Sequence, residues 1–180
     1  YDEGKRYAES LCVHYSKIYD LPITIIRLFN TYGPRMRQND GRVIPSFIMQ
    51  ALANTPLSLN GDGSQTRSFC YVSDMVDGLI SAMPMAADSD KEIIRVTPRL
   101  FGPINLGNPE ETSIYTLAEL IIRLTNCRST VSFHSALTDD PRRRCPDISL
   151  AKEALGFSPN VSLEEGLQKT IGWYVEQSSV

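Results

Sequence analysis

The run Ile23-Thr24-Ile25-Ile26-Arg27-Leu28-Phe29 decides the fold. It is β-branched and almost continuously apolar, whereas a strand with one wet face alternates. Such a run suits a strand buried on both faces, as in a parallel sheet. Upstream, residues 2–19 carry Ala8, Leu11, Cys12, Tyr15 and Ile18 at three- and four-residue steps, the pattern of an amphipathic helix, which Asp20 and Pro22 close. Downstream, residues 30–42 form a loop rich in Asn, Gly, Pro and Arg. Ligands of open α/β sheets bind beyond the carboxyl ends of the strands. Asn30 stands at such an end, with a donor and an acceptor to offer. A turn built from Asn, Gly and Pro accounts for the same residues equally well.

Further along, the spacing predicts a helix over 43–53, with Pro45 tolerated in its first turn. Short strands are expected near 57–60 and 67–72, with Gly61-Asp62-Gly63 turning between them. Ser73 is placed to cap a helix running to Met83, with Pro84 at its end. Residues 86–102 form a poorly patterned connection. Ile104-Asn105-Leu106 reads as a strand, 113–126 as a helix with Leu117, Leu120, Ile121 and Leu124 on its apolar face, and Val131-Ser132-Phe133 as a strand. Ser149 is expected to cap a short helix ended by Gly156. Ser162 and Glu165 form a capping box for a last helix carrying Leu167, Ile171, Trp173 and Tyr174. The order is that of a mixed α/β domain.

With 180 residues, 42% of them hydrophobic and 22% charged, the chain is large enough for a real core. A net charge of −3, with no basic helix or aromatic platform, points away from nucleic acid. No apolar run approaches the roughly 20 residues needed to span a bilayer, so no membrane partner is expected. Cys12, Cys70, Cys127 and Cys145 form no C-x-x-C pair, which argues against a metal site and for reduced cysteines in a cytoplasmic protein. The chain opens inside a helix without Met or cap, so a longer parent protein is expected.

Tyr1 and Lys5 lie four apart, on one helix face. A lysine beside a tyrosine hydroxyl favours the phenolate, which can take a proton from a substrate hydroxyl. By itself this spacing favours a solvated helix face. The arginines are more informative. Arg35, Arg37 and Arg42 share one loop, Arg67 follows the Gly-rich turn, and Arg142, Arg143 and Arg144 precede Pro146. Three arginine-bearing loops in an acidic chain suit an anion site, since arginine binds phosphate bidentately; surface solubility is the alternative for any one loop. His14 and His134 are isolated, and Asp139-Asp140 reads as a solvated turn.

Together these segments resemble the extended short-chain dehydrogenase/reductase family of NAD-dependent nucleotide-sugar epimerases, dehydratases and decarboxylases, over nearly the whole chain. Tyr1-Asp2-Glu3-Gly4-Lys5-Arg6 matches the family's Y-x-x-x-K, in the form typical of its UDP-glucuronate decarboxylase subgroup. Arg27 through Met36, Asn39-Asp40-Gly41-Arg42-Val43, Gly63 through Phe69, Asn105 through Glu110, and Asp139 through Ile148 also resemble that subgroup. The implied fold is the C-terminal part of an NAD(P)-binding Rossmann-like fold: the last parallel strands plus a smaller α/β substrate-binding domain, with the N-terminal dinucleotide-binding half missing. Residues 1–42 would end the Rossmann-like domain, and 43–180 would mainly form the substrate domain, with some segments returning to the sheet.

The resemblance implies Tyr1 as catalytic base and Lys5 as its partner, both also touching the cofactor NAD. Thr31 would meet the nicotinamide end and Arg42 would close the loop over cofactor and substrate. Asn30, Arg67 and Arg144 would hold the diphosphate of a UDP-sugar, and Leu59 would pack on its base. The implied reaction oxidises C4 of UDP-glucuronate, loses CO2 from the resulting 4-keto sugar and reduces C4 again, giving UDP-xylose. The alternatives are a 4,6-dehydratase or 4-epimerase of the same family, or a UDP-sugar-binding module without catalysis. A homodimer through the Tyr1–Tyr19 helix is also implied. The family's glycine-rich NAD loop and its Ser/Thr and Glu would all precede Tyr1. The 86–102 connection is longer than the subgroup's, and Asn60 stands where relatives are expected to carry a bulky aromatic.

Overall fold

A computed structural model describes residues 2–83, 103–136 and 140–178. Tyr1, Asp139 and the 86–102 connection lie outside the described residues. The elements, in order, are α1 (Asp2–Tyr19), β1 (Ile26–Leu28), β2 (Thr31–Tyr32), α2 (Val43–Leu52), β3 (Leu57–Asn60), β4 (Thr66–Ser68), β5 (Cys70–Tyr71), α3 (Val72–Ala82), β6 (Ile104–Leu106), β7 (Glu111–Ser113), α4 (Ile114–Thr125), β8 (Val131–His134), β9 (Arg143–Arg144), α5 (Ser149–Leu155) and α6 (Leu163–Ser178).

Three of the pairings are two-stranded and parallel: β1 with β6, β2 with β5, and β3 with β8. Strand β4 is central in a fourth sheet, antiparallel to β7 and parallel to β9. Parallel partners need long crossovers, and helices supply them: α4 lies between β3 and β8 in the chain, and α3 between β1 and β6.

Two hydrophobic clusters result. The larger joins α2, β3, α4 and α6 through Phe47, Ile48, Leu57, Leu59, Leu117, Ile121, Leu167 and Tyr174. The smaller joins Ile104 and Leu106 of β6 to Met75 of α3, to Ile148 and Ala151 at α5, and to Phe157.

Several expectations need correction. The Gly61-Asp62-Gly63 turn does not make a hairpin, because β3 pairs with β8 and β4 pairs with β7 and β9. Its glycines at φ 72 and 75 instead carry the chain from one sheet to another. Strand β1 pairs in parallel with β6 as expected, over Ile26–Leu28 alone, but among the described residues it is not buried on both faces: Leu28 is 55% exposed, with no described layer packed over it. Ser73 does not cap α3, which starts straight out of β5 with Tyr71 at the cap position. At α5 the capping acceptor is Asp147, whose Oδ1 takes the Ser149 amide at 2.9 Å. Half of the Ser162–Glu165 box forms, the Glu165 amide donating to Ser162 Oγ at 3.2 Å, while the Glu165 carboxylate takes Lys169 Nζ at 2.7 Å instead. The other helices fall where the periodicity puts them, and Ser113 caps α4 by accepting the Thr116 amide.

Candidate functional site

The site begins with a register. In the parallel β4–β9 pair, Arg67 stands opposite Arg144 and Thr66 opposite Arg143. Side chains alternate between the two faces of a sheet. Arg67 and Arg144 therefore share one face, and Thr66 and Arg143 share the other. Two of the three arginine loops thus converge on neighbouring backbone positions, far apart as they are in sequence.

The two arginines differ in state. Arg67 is only 8% exposed. Its Nη1 donates to its neighbour's carbonyl, Thr66 O, at 2.7 Å, and its Nη2 donates to Asp140 Oδ1. A guanidinium carries five N–H donors, so three are left unused among the described residues. The Arg144 side chain is exposed and makes no hydrogen bond or ion pair among the described residues, its backbone alone being paired in the ladder with β4. One arginine is thus held rigid while its neighbour is unengaged, an arrangement able to grip an anion with several oxygens. Asp140, read from sequence as a solvated turn, is the carboxylate that orients Arg67. The adjacency of Asp139-Asp140 to three arginines was the signal available for it.

Arg143 has the opposite fate. Its Nε and Nη2 fork onto both oxygens of Glu111 at 2.6–3.0 Å, and Thr66 Oγ1 donates to the same carboxylate at 2.7 Å. The Arg143 hydrogen bonds, then that from Thr66, hold the Glu111 carboxyl at about 2, well below its ordinary value. Sequence reasoning did not single out Glu111, because nothing local connects positions 111 and 143.

Asn30 reaches the arginine pair through β4. Its Nδ2 donates to Ser68 O at 3.1 Å, one residue past Arg67, and its carbonyl accepts the Cys70 amide at 2.9 Å. Thr31 Oγ1 donates to Phe29 O at 3.0 Å. Both residues stand at the carboxyl end of β1, where open α/β sheets bind ligands.

Helix α1 is tied to β1 by one ion pair: Glu9 holds Arg27 in two bonds of 2.6 Å. Lys5 is four residues before Glu9 and shares its face of the helix. Tyr1 lies outside the described residues.

Other expected residues stand apart. Leu59 is fully buried in the larger core and presents no surface to a nucleobase. Arg42 is exposed and its Nε pairs with Asp40 at 3.3 Å; no bond links it to Arg67 or Arg144. Arg35 and Arg37 are exposed, as are His14 and His134. Two open clefts, one lined by Arg143, Cys145, Pro146 and Asp147 and the other by residues including Asn108, Lys152 and Asn160, do not include the arginine pair. The chemistry of the side chains, not the shape of a cavity, marks the site. All four cysteines are free. Among the described residues no helix is long and apolar enough to cross a membrane.

Comparison with known proteins identifies the family and the fold. The family model described as the NAD dependent epimerase/dehydratase family matches residues 1–97. UDP-glucuronic acid decarboxylase 1 of Xenopus tropicalis is 48% identical over 174 residues, covering 97% of this chain and 38% of that protein. UDP-glucuronic acid decarboxylase 3 of Arabidopsis thaliana is 50% identical over 167 residues, covering 93% of this chain and 45% of that protein. The chain therefore spans less than half the length of these curated relatives. Among solved structures, UDP-glucuronic acid 4-epimerase from Bacillus cereus, in complex with UDP-glucuronic acid and NAD, superposes with a TM-score of 0.78 at 32% identity, over 94% of this chain and 50% of that one. UDP-glucose 4-epimerase from Thermotoga maritima, with UDP-glucose, gives 0.84 at 27% identity, over 97% and 52%. The fold is thus that of the extended Rossmann-like short-chain dehydrogenases.

Proposed function

The chain belongs to the NAD dependent epimerase/dehydratase family, and from that premise we propose that it serves the NAD-dependent decarboxylation of UDP-glucuronate to UDP-xylose. The observation that carries this reading is the register of Arg67 with Arg144, beside Asn30 at a strand end. A sugar nucleotide with a diphosphate fits that arrangement, and the UDP-glucuronic acid decarboxylases at 48–50% identity support the choice of sugar.

Lys5 and Thr31 suit the nicotinamide-ribose end of NAD: Lys5 offers an ammonium, and Thr31 a hydroxyl just past the carboxyl end of β1. When bound there, NAD supplies the acceptor and donor of hydride at C4 of the sugar. The protein's own part is positional and protonic. Arg67 and Arg144 hold the diphosphate with charge-assisted hydrogen bonds, with Asn30 beside them. Tyr1 accepts the C4 hydroxyl proton on its phenolate oxygen, and the Lys5 ammonium stabilises that phenolate. The 4-keto group stands β to the carboxylate, so the electrons of the breaking carbon–carbon bond pass into the ketone as CO2 leaves. C5 then takes a proton from water, and Tyr1 returns the proton it took to the C4 oxygen as C4 is reduced again. Arg42 closes its loop over the bound pair.

Residues 1–42 with the small core around β1 and β6 would form the end of the dinucleotide-binding domain, and most of 43–180 the substrate domain. The exposed Tyr7, Leu11, Tyr15 and Ile18 on α1 support a homodimer through that helix. Free cysteines support a cytoplasmic setting.

A second reading, 4-epimerase, is favoured by the solved neighbours. One incubation of the protein with NAD and UDP-glucuronate, followed by mass spectrometry and NMR, separates the readings. A product that has lost its carboxylate supports the decarboxylase. An isomer of unchanged mass inverted at C4 makes it an epimerase, and binding without any product leaves a UDP-sugar-binding module.

A further inference from the structure

Strand β9 is two residues long, both of them exposed, and among the described residues β4 is its one strand partner. So short an edge strand holds its register poorly by backbone alone. Yet Arg144 faces Arg67 only while that register holds, because a slip of one residue would turn Arg144 to the opposite face.

The side of the sheet away from the arginine pair carries a device suited to prevent the slip. Arg143 reaches across β4 and forks onto both oxygens of Glu111 on β7. Thr66, between them on β4, donates to Glu111 Oε1. One carboxylate therefore ties all three strands on one face. A bidentate pair fixes geometry as well as distance, whereas a single surface ion pair seldom does. Just past β9, Cys145 Sγ donates to Pro109 O at 3.4 Å and adds a second tie towards the start of β7.

We propose that Glu111 and Arg143 are positioning residues: their ion pair on one face of the β7–β4–β9 sheet holds Arg144 in register beside Arg67 on the other, and so sets the affinity for a nucleoside diphosphate. This rests on the reading of Arg67 and Arg144 as the diphosphate grip. Neither Glu111 nor Arg143 touches the ligand. Arginine at 143 acts through 144, by the alternation of a strand.

The test uses the full-length, NAD-loaded protein, with UDP and uridine as probes in calorimetry. Glu111→Gln and Arg143→Ala should each weaken UDP roughly fivefold, the upper range of an exposed pair, and leave uridine binding unchanged. The exchange Glu111→Arg with Arg143→Glu should restore UDP affinity. In an Arg144→Ala background, Arg143→Ala should have no further effect. Additive losses would mean that Arg143 contacts phosphate directly and would overturn the proposal, as would an equal loss for uridine. Hydrogen exchange without nucleotide gives a separate readout: Glu111→Gln should deprotect the amides of residues 143–145, and unchanged protection would refute the clamp whatever UDP does. If the clamp loosens as expected but Arg144→Ala binds UDP normally, the diphosphate reading fails and the part of the proposal concerning affinity falls with it.

Discussion

Arg67 and Arg144 are register partners in opposite states, so removing each should have different consequences for stability and the same consequence for UDP. Replacing Arg67 by Met keeps most of the apolar stem but deletes two hydrogen bonds, to Thr66 O and to Asp140. Breaking a fully buried ion pair costs about 3–5 kcal/mol. Here the Arg67 side chain is 10% exposed and that of Asp140 is 35% exposed, so water re-solvates part of the abandoned carboxylate. Roughly 2–3 kcal/mol is the expected loss, close to that of one hydrogen bond to a charged group plus an unsatisfied carbonyl. Arg144→Ala removes an exposed, unbonded side chain and should stay within about 0.5 kcal/mol of wild type. Both should weaken UDP by about 1.5–3 kcal/mol, roughly tenfold to a hundredfold. Urea denaturation reads the first pair of numbers and calorimetry the second. Equal stabilities for Arg67→Met and wild type would show that the buried guanidinium is not an anchor. Unchanged UDP affinity in Arg144→Ala would refute the shared face as a phosphate grip.

Gly63→Ala should destabilise by about 2–4 kcal/mol in the same denaturation assay, since φ is 75 and the new Cβ would lie 2.7 Å from Leu59 Cδ2 and 3.0 Å from Tyr115 Cβ; a loss below 1 kcal/mol, as for an ordinary surface change, would contradict the tight turn. The Glu111 carboxyl is depressed to about 2 by Arg143 and Thr66, so its contribution to holding β9 is present above its ordinary value and is lost as pH falls through about 2. A carboxyl NMR titration should therefore show Glu111 still ionised at pH 3.5, and a midpoint near its ordinary value would count against the fork. Burial pushes the Cys70 thiol up to about 12. At neutral pH it should resist a thiol reagent until the protein unfolds, and labelling at the rate of an exposed cysteine would place it outside the smaller core.

Helices were legible because their signals are local. The steps of Leu117, Leu120, Ile121 and Leu124, the Ser113 cap and the Gly156 stop all lie within a few turns of what they govern, and α4 and α5 end where those residues put them. The strand in the run from Ile23 to Phe29 was legible for the same reason, though only Ile26–Leu28 forms it, and motif matches spread along the chain were enough to reach the family. Strand partners were not legible. The Gly61-Asp62-Gly63 turn looks like a hairpin on local grounds, yet Leu57 pairs with Val131 across 74 positions, because the apolar face of β3 is completed by α4 and β8 rather than by β4.

The arginine site shows the same division. Sequence alone determined that arginines gather in a few loops of an acidic chain, and that these loops carry a nucleotide-sugar family's motifs. Composition and spacing could not rank Arg143 against Arg144, which are neighbours in the chain; the family resemblance alone singled out Arg144. Only the tertiary structure showed how they differ, Arg144 standing in register with Arg67 while Arg143 turns away to Glu111. The physical reason is the two-residue period of a β-strand, whose phase is set by a partner strand 77 positions away and leaves no trace in the local sequence.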